Sequence, residues 1–290
     1  MTKKIAIASG KGGTGKTTVS VNLFHFLNAL TTQKIKLIDC DVEEPNDLLF
    51  FPEAQCSRQQ TVHQMIPEID TSKCTFCRKC AEYCEYNAIT IIPKLKHAEV
   101  TSSLCHSCGA CTVACEYGAI TEHPVEVGEI KNFTNGMHPN GEIIEGRLKI
   151  GSAMQTLMIK ETKKSVQNAE LMLIDAPPGT SCPVVESVAD ADYVILVTEP
   201  TPFGLHDLKL MVDLLDDVDK PYGVIINKAG LGNDETHRYL IENNIELLGE
   251  IPFTRAYASK YASGNLLNDI PAEIENMYRE IVSVLLEKLK

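Results

Sequence analysis

Positive charge is scarce in this chain: 27 Lys and Arg stand against 39 Asp and Glu in 290 residues, giving a formal charge of −12 and a pI near 5.2. An acidic surface repels phosphate backbones and anionic lipid, which argues against nucleic-acid coating and polybasic membrane anchoring. Long apolar runs are also missing. None approaches the roughly 20 residues needed to cross a bilayer, so stable membrane insertion is not expected. The start, Met1-Thr2-Lys3-Lys4-Ile5, passes straight into a strand-like segment without an apolar signal-peptide core, and a cytoplasmic protein is the expectation. What remains is globular in composition, with 44% hydrophobic and 23% charged residues, ample for a buried core.

Cysteine is the abundant exception. There are eleven, and eight fall between Cys74 and Cys115. In a chain without a signal sequence, such clustering points to metal or redox chemistry rather than disulfides.

Short, nearly continuous apolar segments recur at Lys4–Ala8, Ile35–Ile38, Leu171–Ile174, Tyr193–Val197, Gly223–Ile226 and Leu247–Ile251. That pattern predicts parallel strands buried on both faces. Helical stretches lie between them: Thr17–Leu30, Pro202–Leu215, and a last helix with Ile274, Met277, Tyr278, Ile281, Val282, Leu285 and Leu289 on one side. The fold class is therefore α/β, a doubly wound and mostly parallel sheet.

One block, about residues 62–123, breaks the rhythm. Shifted by 31 residues, Cys74, Cys77, Cys80 and Cys84 fall on Cys105, Cys108, Cys111 and Cys115, and Glu85-Tyr86 and Ala88-Ile89-Thr90 on Glu116-Tyr117 and Ala119-Ile120-Thr121. Repetition of residues around the cysteines indicates a duplicated fold unit. Removing it leaves about 228 residues, the size of one α/β domain. The organisation is thus 1–61 and 124–290 as one domain, with 62–123 inserted. Behind the block, Val125–Phe133 and Glu142–Ile150 flank a turn-rich centre and predict a β-hairpin.

Gly10, Lys11, Gly12, Gly13, Thr14, Gly15, Lys16, Thr17 and Thr18 follow a strand, open a helix and satisfy G-x-x-x-x-G-K-[ST]. Glycines let backbone N–H groups converge on phosphate oxygens beside the positive end of the helix. Lys16 is expected to bridge the terminal phosphates and Thr17 to ligate Mg²⁺. The cysteine runs, C-x₂-C-x₂-C-x₃-C twice, have the spacing of bacterial two-cluster ferredoxins, in which the fourth cysteine ligates the other cluster. One cluster is assigned to Cys74, Cys77, Cys80 and Cys115, its partner to Cys105, Cys108, Cys111 and Cys84. Zinc is the competing metal. The proline usual after the fourth cysteine is replaced by Glu85 and Glu116, carboxylates able to lower a cluster potential.

The segment Gly-Lys-Gly-Gly-Thr-Gly-Lys-Thr-Thr resembles the deviant Walker A loop of the MinD/Mrp/ParA/nitrogenase-iron-protein class. That resemblance implies that Lys11 reaches phosphate across a nucleotide-bridged dimer. Ile38-Asp39-Cys40-Asp41 is similar to switch I, implying that Asp41 orients the attacking water and Asp39 sits nearer Mg²⁺. Asp175-Ala176-Pro177-Pro178-Gly179-Thr180 is similar to switch II, implying that Asp175 holds Mg²⁺ through water and Gly179 senses the γ-phosphate. Asn227 resembles the adenine-reading residue, and Pro252-Phe253 the loop covering the base. The implied cofactors are ATP, Mg²⁺ and two [4Fe–4S] clusters. The implied assembly is a nucleotide-dependent homodimer, or a heterodimer with a related ATPase, serving a protein electron acceptor. Two other functions stay open: an assembly factor that carries clusters to an apo-metalloprotein, and a MinD-like positioning ATPase. Against the last, the final helix is largely acidic on its polar side. Cys182 stands seven residues after Asp175, the offset of a bridging-cluster ligand in the nitrogenase iron protein. With no second ligand identifiable, it is read as structural, and Cys40 as ordinary packing.

Overall fold

β-Branched and leucine-rich runs make the strands, and the chain returns between them through helices that cover their faces. The computed structural model describes residues 2–289. In chain order the elements are β1 (Lys3–Ala8), α1 (Lys16–Leu30), β2 (Ile35–Asp39), β3 (Gln55–Ile69), α2 (Lys79–Glu82), β4 (Ile89–Ile92) and β5 (His97–Val100). Next come α3 (Ala110–Ala114), β6 (Ile120–Thr134), β7 (Gly141–Leu148), α4 (Gln155–Ser165), β8 (Leu171–Asp175) and α5 (Cys182–Val188). The rest are β9 (Tyr193–Thr198), α6 (Pro202–Asp217), β10 (Tyr222–Ala229), α7 (Glu235–Glu242), β11 (Leu247–Pro252), α8 (Arg255–Ala262) and α9 (Ala272–Lys288).

The chain divides into two units. The first comprises Met1–Gln60, Ile130–Arg147 and Thr156–Lys290; the second comprises Thr61–Glu129 and Leu148–Gln155. These limits differ from a cut at 62 and 123 because β3 and β6 are each 15 residues long and run through both boundaries. The long β3 has no counterpart among the strands expected from sequence, since its first residues are polar and exposed.

In the first unit the sheet has the strand order β11-β10-β9-β1-β8-β2-β7-β6-β3. β1 pairs in parallel with both β8 and β9, and β2 with both β8 and β7. The order reverses on either side of β1, so the loop leaving β1 opens at the switch point where α/β sheets bind ligands. β8 and β9 are buried along their whole length, as their unbroken apolar sequence requires. α1 buries Val19, Val21, Leu23, Phe24, Phe26 and Leu27, and Phe24 meets Phe51 edge-on at 5.6 Å. α6 starts where Thr201 accepts the Gly204 N–H at 3.0 Å, with Pro202 in the first helical turn. On α9, Ile274, Tyr278, Ile281, Val282 and Leu285 are buried, so its apolar stripe is core. Among the described residues no helix is long and apolar enough to cross a membrane.

The second unit keeps the 31-residue repeat in three dimensions. Asp70 N donates to Ala119 O at 2.7 Å and Thr101 N to Ala88 O at 2.8 Å. Each bond maps onto the other under the repeat, so the halves clasp each other reciprocally. β4 and β5 form an antiparallel hairpin, with Ile89 opposite Val100. Cys80, Ile89, Ile91, Cys111 and Ile120 make its small core.

Phe24 is fully buried, and truncating it leaves a cavity at the junction of α1 and the sheet. Phe24→Ala is expected to cost about 3–5 kcal/mol, read as a lower urea midpoint at unchanged m-value.

Candidate nucleotide and metal sites

Parallel register sets the acidic centre. Asp39 and Asp175 are Cα partners at the ends of β2 and β8. Asp47, in the single 3₁₀ turn that follows β2, brings a third carboxyl group back to them. One oxygen from each lies within 4.8 Å of the other two, and all three side chains are buried. The Lys16 ammonium, also buried, pairs with Asp175 at 2.7 Å. Asp175 further accepts the Thr17 hydroxyl at 3.0 Å and the Ser20 hydroxyl at 2.9 Å. Asp39 accepts three backbone N–H groups, from Asp41, Asn46 and Asp47, at 3.0, 2.7 and 3.0 Å. The carboxyl oxygens of Asp47 receive no protein donor.

The charges do not balance. Burial pushes Asp39 up to about 7, and the neighbouring Asp175 adds to the shift against the backbone donors and Lys16. Burial, then Asp175 and Asp39, hold Asp47 well above the carboxylate range. Burial works against the charge on Lys16, but the carboxylates outweigh it and keep the ammonium above its usual range. An oxygen-only set of this kind, with Thr17 beside it, fits a hard divalent cation such as Mg²⁺. Asp41 is half-buried and stands outside the trio, its carboxyl raised chiefly by burial.

The loop after β1 carries Gly13 and Gly15 at φ +84° and +91°. A Cβ on Gly15 would stand 2.0 Å from Nδ2 of Asn227, which donates to Thr14 O at 2.7 Å. Gly10 is equally confined, its Cβ position 2.3 Å from Asp207 O, whereas Gly12 faces open space. The Thr14 hydroxyl is buried with no partner. A loop of this shape, ending on the N-terminus of a 15-residue helix, fits an anionic phosphate chain. Lys11 pairs with Glu199 at 2.7 Å, and the same carboxylate takes Lys228 at 3.1 Å. Lys228 also donates to Gly13 O at 2.7 Å. The Gly179 N–H donates to Ser9 O at 3.0 Å.

Beside the loop a groove of about 790 Å³ is lined by Gly13, Gly15, Thr18, Asn227, Lys228, Pro252, Phe253, Tyr257 and Tyr261. Apolar walls with a few polar groups suit a flat heterocycle. The residues expected at the base thus line one groove, although Asn227 uses its amide N–H on the loop.

The sequence reading missed Asp47, Glu199, Tyr257 and Tyr261. Asp47 sits in an acid-rich stretch, Glu43-Glu44-Pro45-Asn46-Asp47, where nothing distinguishes a buried carboxylate from exposed ones. Glu199 follows a strand end and carried that much signal. Cys40 is fully buried, and burial pushes its thiol far up. Cys182 is the first residue of α5 and is exposed.

In the second unit, Cys74, Cys77, Cys80 and Cys115 line one small cavity. Cys84, Cys105, Cys108 and Cys111 line another. Backbone N–H groups of Phe76, Ala88 and Ser107 point at Cys74, Cys84 and Cys105 sulfurs at 3.3–3.4 Å, ready to support thiolates. Burial pushes the Cys80 thiol up to about 11. Four soft donors around an apolar hollow fit zinc or an iron–sulfur cluster.

Residues 5–267 match the CobQ/CobB/MinD/ParA nucleotide binding domain. The chain belongs to this family. An uncharacterized protein of Methanocaldococcus jannaschii is 32% identical over 99% of this chain and 96% of its own length. An iron-sulfur cluster carrier protein of the same organism is 24% identical over 99% of this chain and 85% of its own. Among solved structures, the septum site-determining protein MinD of Pyrococcus horikoshii, complexed with Mg-ADP, is similar at a TM-score of 0.63 and 18% identity, covering 100% of this chain and 98% of that one. The likeness shows the MinD-type fold, a mostly parallel nucleotide-binding sheet.

Gly15→Ala combines a left-handed backbone with a clash. It is expected to weaken nucleotide binding at least about tenfold by calorimetry, with the far-ultraviolet spectrum unchanged. For Asp39 the folded carboxyl holds its proton more tightly than the unfolded one. Its contribution to stability is present below about pH 4 and is lost as pH rises to about 7. Protein stripped of nucleotide and Mg²⁺ should lose urea resistance across that window, and Asp39→Asn should flatten the slope.

Proposed function

We propose that this chain is a Mg-ATP-hydrolysing, deviant-Walker-A ATPase. In this reading, nucleotide-dependent dimerisation governs electron transfer through two [4Fe–4S] clusters to a protein acceptor. The observation that carries the cluster half is the sorting of cysteines. The cavities divide them not by run but by exchange of the fourth member, Cys115 going with the first three and Cys84 with the second. Two independent zinc knuckles would have no need of that exchange. When bound, the clusters supply low-potential one-electron chemistry.

In the first unit, Mg-ATP brings a phosphate chain and a hard cation to the residues fitted for them. Lys16 holds the terminal phosphates from within the subunit; Thr17, Asp39 and Asp175 hold the cation side, partly through water. Asp41 orients the attacking water. Lys11 leaves Glu199 for phosphate bound by the partner subunit, and Gly179 exchanges the Ser9 carbonyl for the γ-phosphate. A cation supplied in trans accelerates phosphoryl transfer by ~10³–10⁵, so hydrolysis becomes conditional on assembly. The chain leaving Asp39 and Asp47 enters β3, which continues into the cysteine unit. A γ-phosphate-dependent switch there bears on the segment that feeds the clusters.

The names of the relatives support a second reading, a carrier that delivers clusters to an apo-metalloprotein. One preparation separates the two. Anaerobically purified protein is expected to contain about eight irons per chain and to show an EPR signal on reduction that Mg-ATP alters. Lys11→Ala should abolish the alteration. Zinc in place of iron sinks the cluster reading, and a spectrum indifferent to ATP sinks the coupling. Iron lost to an apo-acceptor makes the protein a carrier.

A further inference from the structure

The two cysteine cavities are near copies in shape and unlike in charge. Under the 31-residue repeat, Arg78 and Lys79 of the Cys74/Cys77/Cys80/Cys115 site correspond to Gly109 and Ala110 of the other. Both pairs line their cavities. Lys79 pairs with Glu116 at 2.6 Å and so cancels the carboxylate that follows Cys115. The corresponding carboxylate, Glu85, has no such lysine, because its counterpart is Ala110. Glu122 adds negative charge to the second cavity where the first has Ile91. Beyond the hairpin the contrast widens. Residues 101–129 contain neither Lys nor Arg, whereas Lys73, Arg78, Lys79, Lys94 and Lys96 lie in the first repeat.

Arg78 is the decisive member. Its backbone is left-handed, φ +70°, matching φ +72° at Gly109. Glycine adopts that conformation freely; an arginine does so against its Cβ, and such residues persist where the surroundings use them. Among the described residues no ion pair or hydrogen bond engages its guanidinium, which keeps its charge at every accessible pH. It stands next to Cys77, the exposed ligand of its quartet.

We infer that Arg78 makes the two cluster sites unequal, so that an electron entering this unit rests at the Cys74/Cys77/Cys80/Cys115 site. The inference rests on the reading that each quartet holds a [4Fe–4S] cluster. Reduction adds one electron and no proton to a cluster, so a fixed cation beside it favours the reduced form and unpaired carboxylates disfavour it. With a one-electron reductant as source, the acidic site is the harder to reduce and passes its electron to the basic one.

Anaerobic potentiometric titration with dithionite, followed by EPR, tests this on the intact protein. Two resolved one-electron steps are expected. Arg78→Gly, which also relieves the backbone, should lower the higher step by about threefold to tenfold in its equilibrium constant. Tenfold corresponds to 59 mV. Arg78→Gln should do the same and Arg78→Lys should not, separating charge from shape. Gly109→Arg should raise the lower step. Iron content is measured first: about eight irons per chain with coincident steps, or steps that none of these variants moves, overturns the role of Arg78 and leaves the clusters standing. Absence of iron overturns the reading beneath it as well.

Discussion

Asp39 and Asp175 end adjacent parallel strands, Asp47 turns back onto them, and three buried carboxyl groups are left to share one lysine. Moving charges out of water is expensive, and a lone ammonium repays only part of the cost. The local backbone answers by spending N–H groups on Asp39, and the hydroxyls of Thr17 and Ser20 on Asp175. Those donors pin the loop after β2, the first turn of α1 and the end of β8 to one another. The acidic centre thereby fixes the geometry of the phosphate loop, and a hard cation is the natural complement of the charge that remains.

Much of this was legible in the sequence, for a physical reason. Parallel strands buried on both faces leave unbroken apolar runs, so β1, β2, β8, β9 and β11 stood out within a residue at each end, while β10 runs three residues past its apolar stretch, through Asn227-Lys228-Ala229. The glycine-rich loop was equally visible because φ above +80° and the approach of Asn227 to Gly15 admit few alternatives. Contacts between distant segments left no local mark. Glu199 meets Lys11 and Lys228 from 188 and 29 residues away, and Asp47 looks like any acidic surface residue until the 3₁₀ turn buries it. β3 escaped notice because its first half is polar and exposed.

The second unit was read through its repeat, and duplication explains why that signal was visible in the sequence. Residues preserved at a spacing of 31 include the cysteines that line the cavities and Ala88 and Ala119, whose carbonyls accept the reciprocal bonds from the Thr101 and Asp70 backbone N–H groups. Positions at which the copies diverge, Arg78 against Gly109 and Lys79 against Ala110, share backbone placement but not side-chain chemistry. They are free to differ in charge, and pattern matching alone passes over them. Glu85 and Glu116 differ for the same reason: among the described residues Glu116 pairs with Lys79, and the position matching Lys79 near Glu85 is Ala110.

Glu199 holds two cations at once, Lys11 and Lys228. Were it clasped to Lys11 alone, the departure of that lysine would strand a half-buried anion, and the escape would be steeply uphill. With Lys228 anchored to both Glu199 and the Gly13 carbonyl, the anion would stay neutralised if Lys11 swung out. The arrangement is like a mooring with a spare line: one rope can be cast off without the berth being lost.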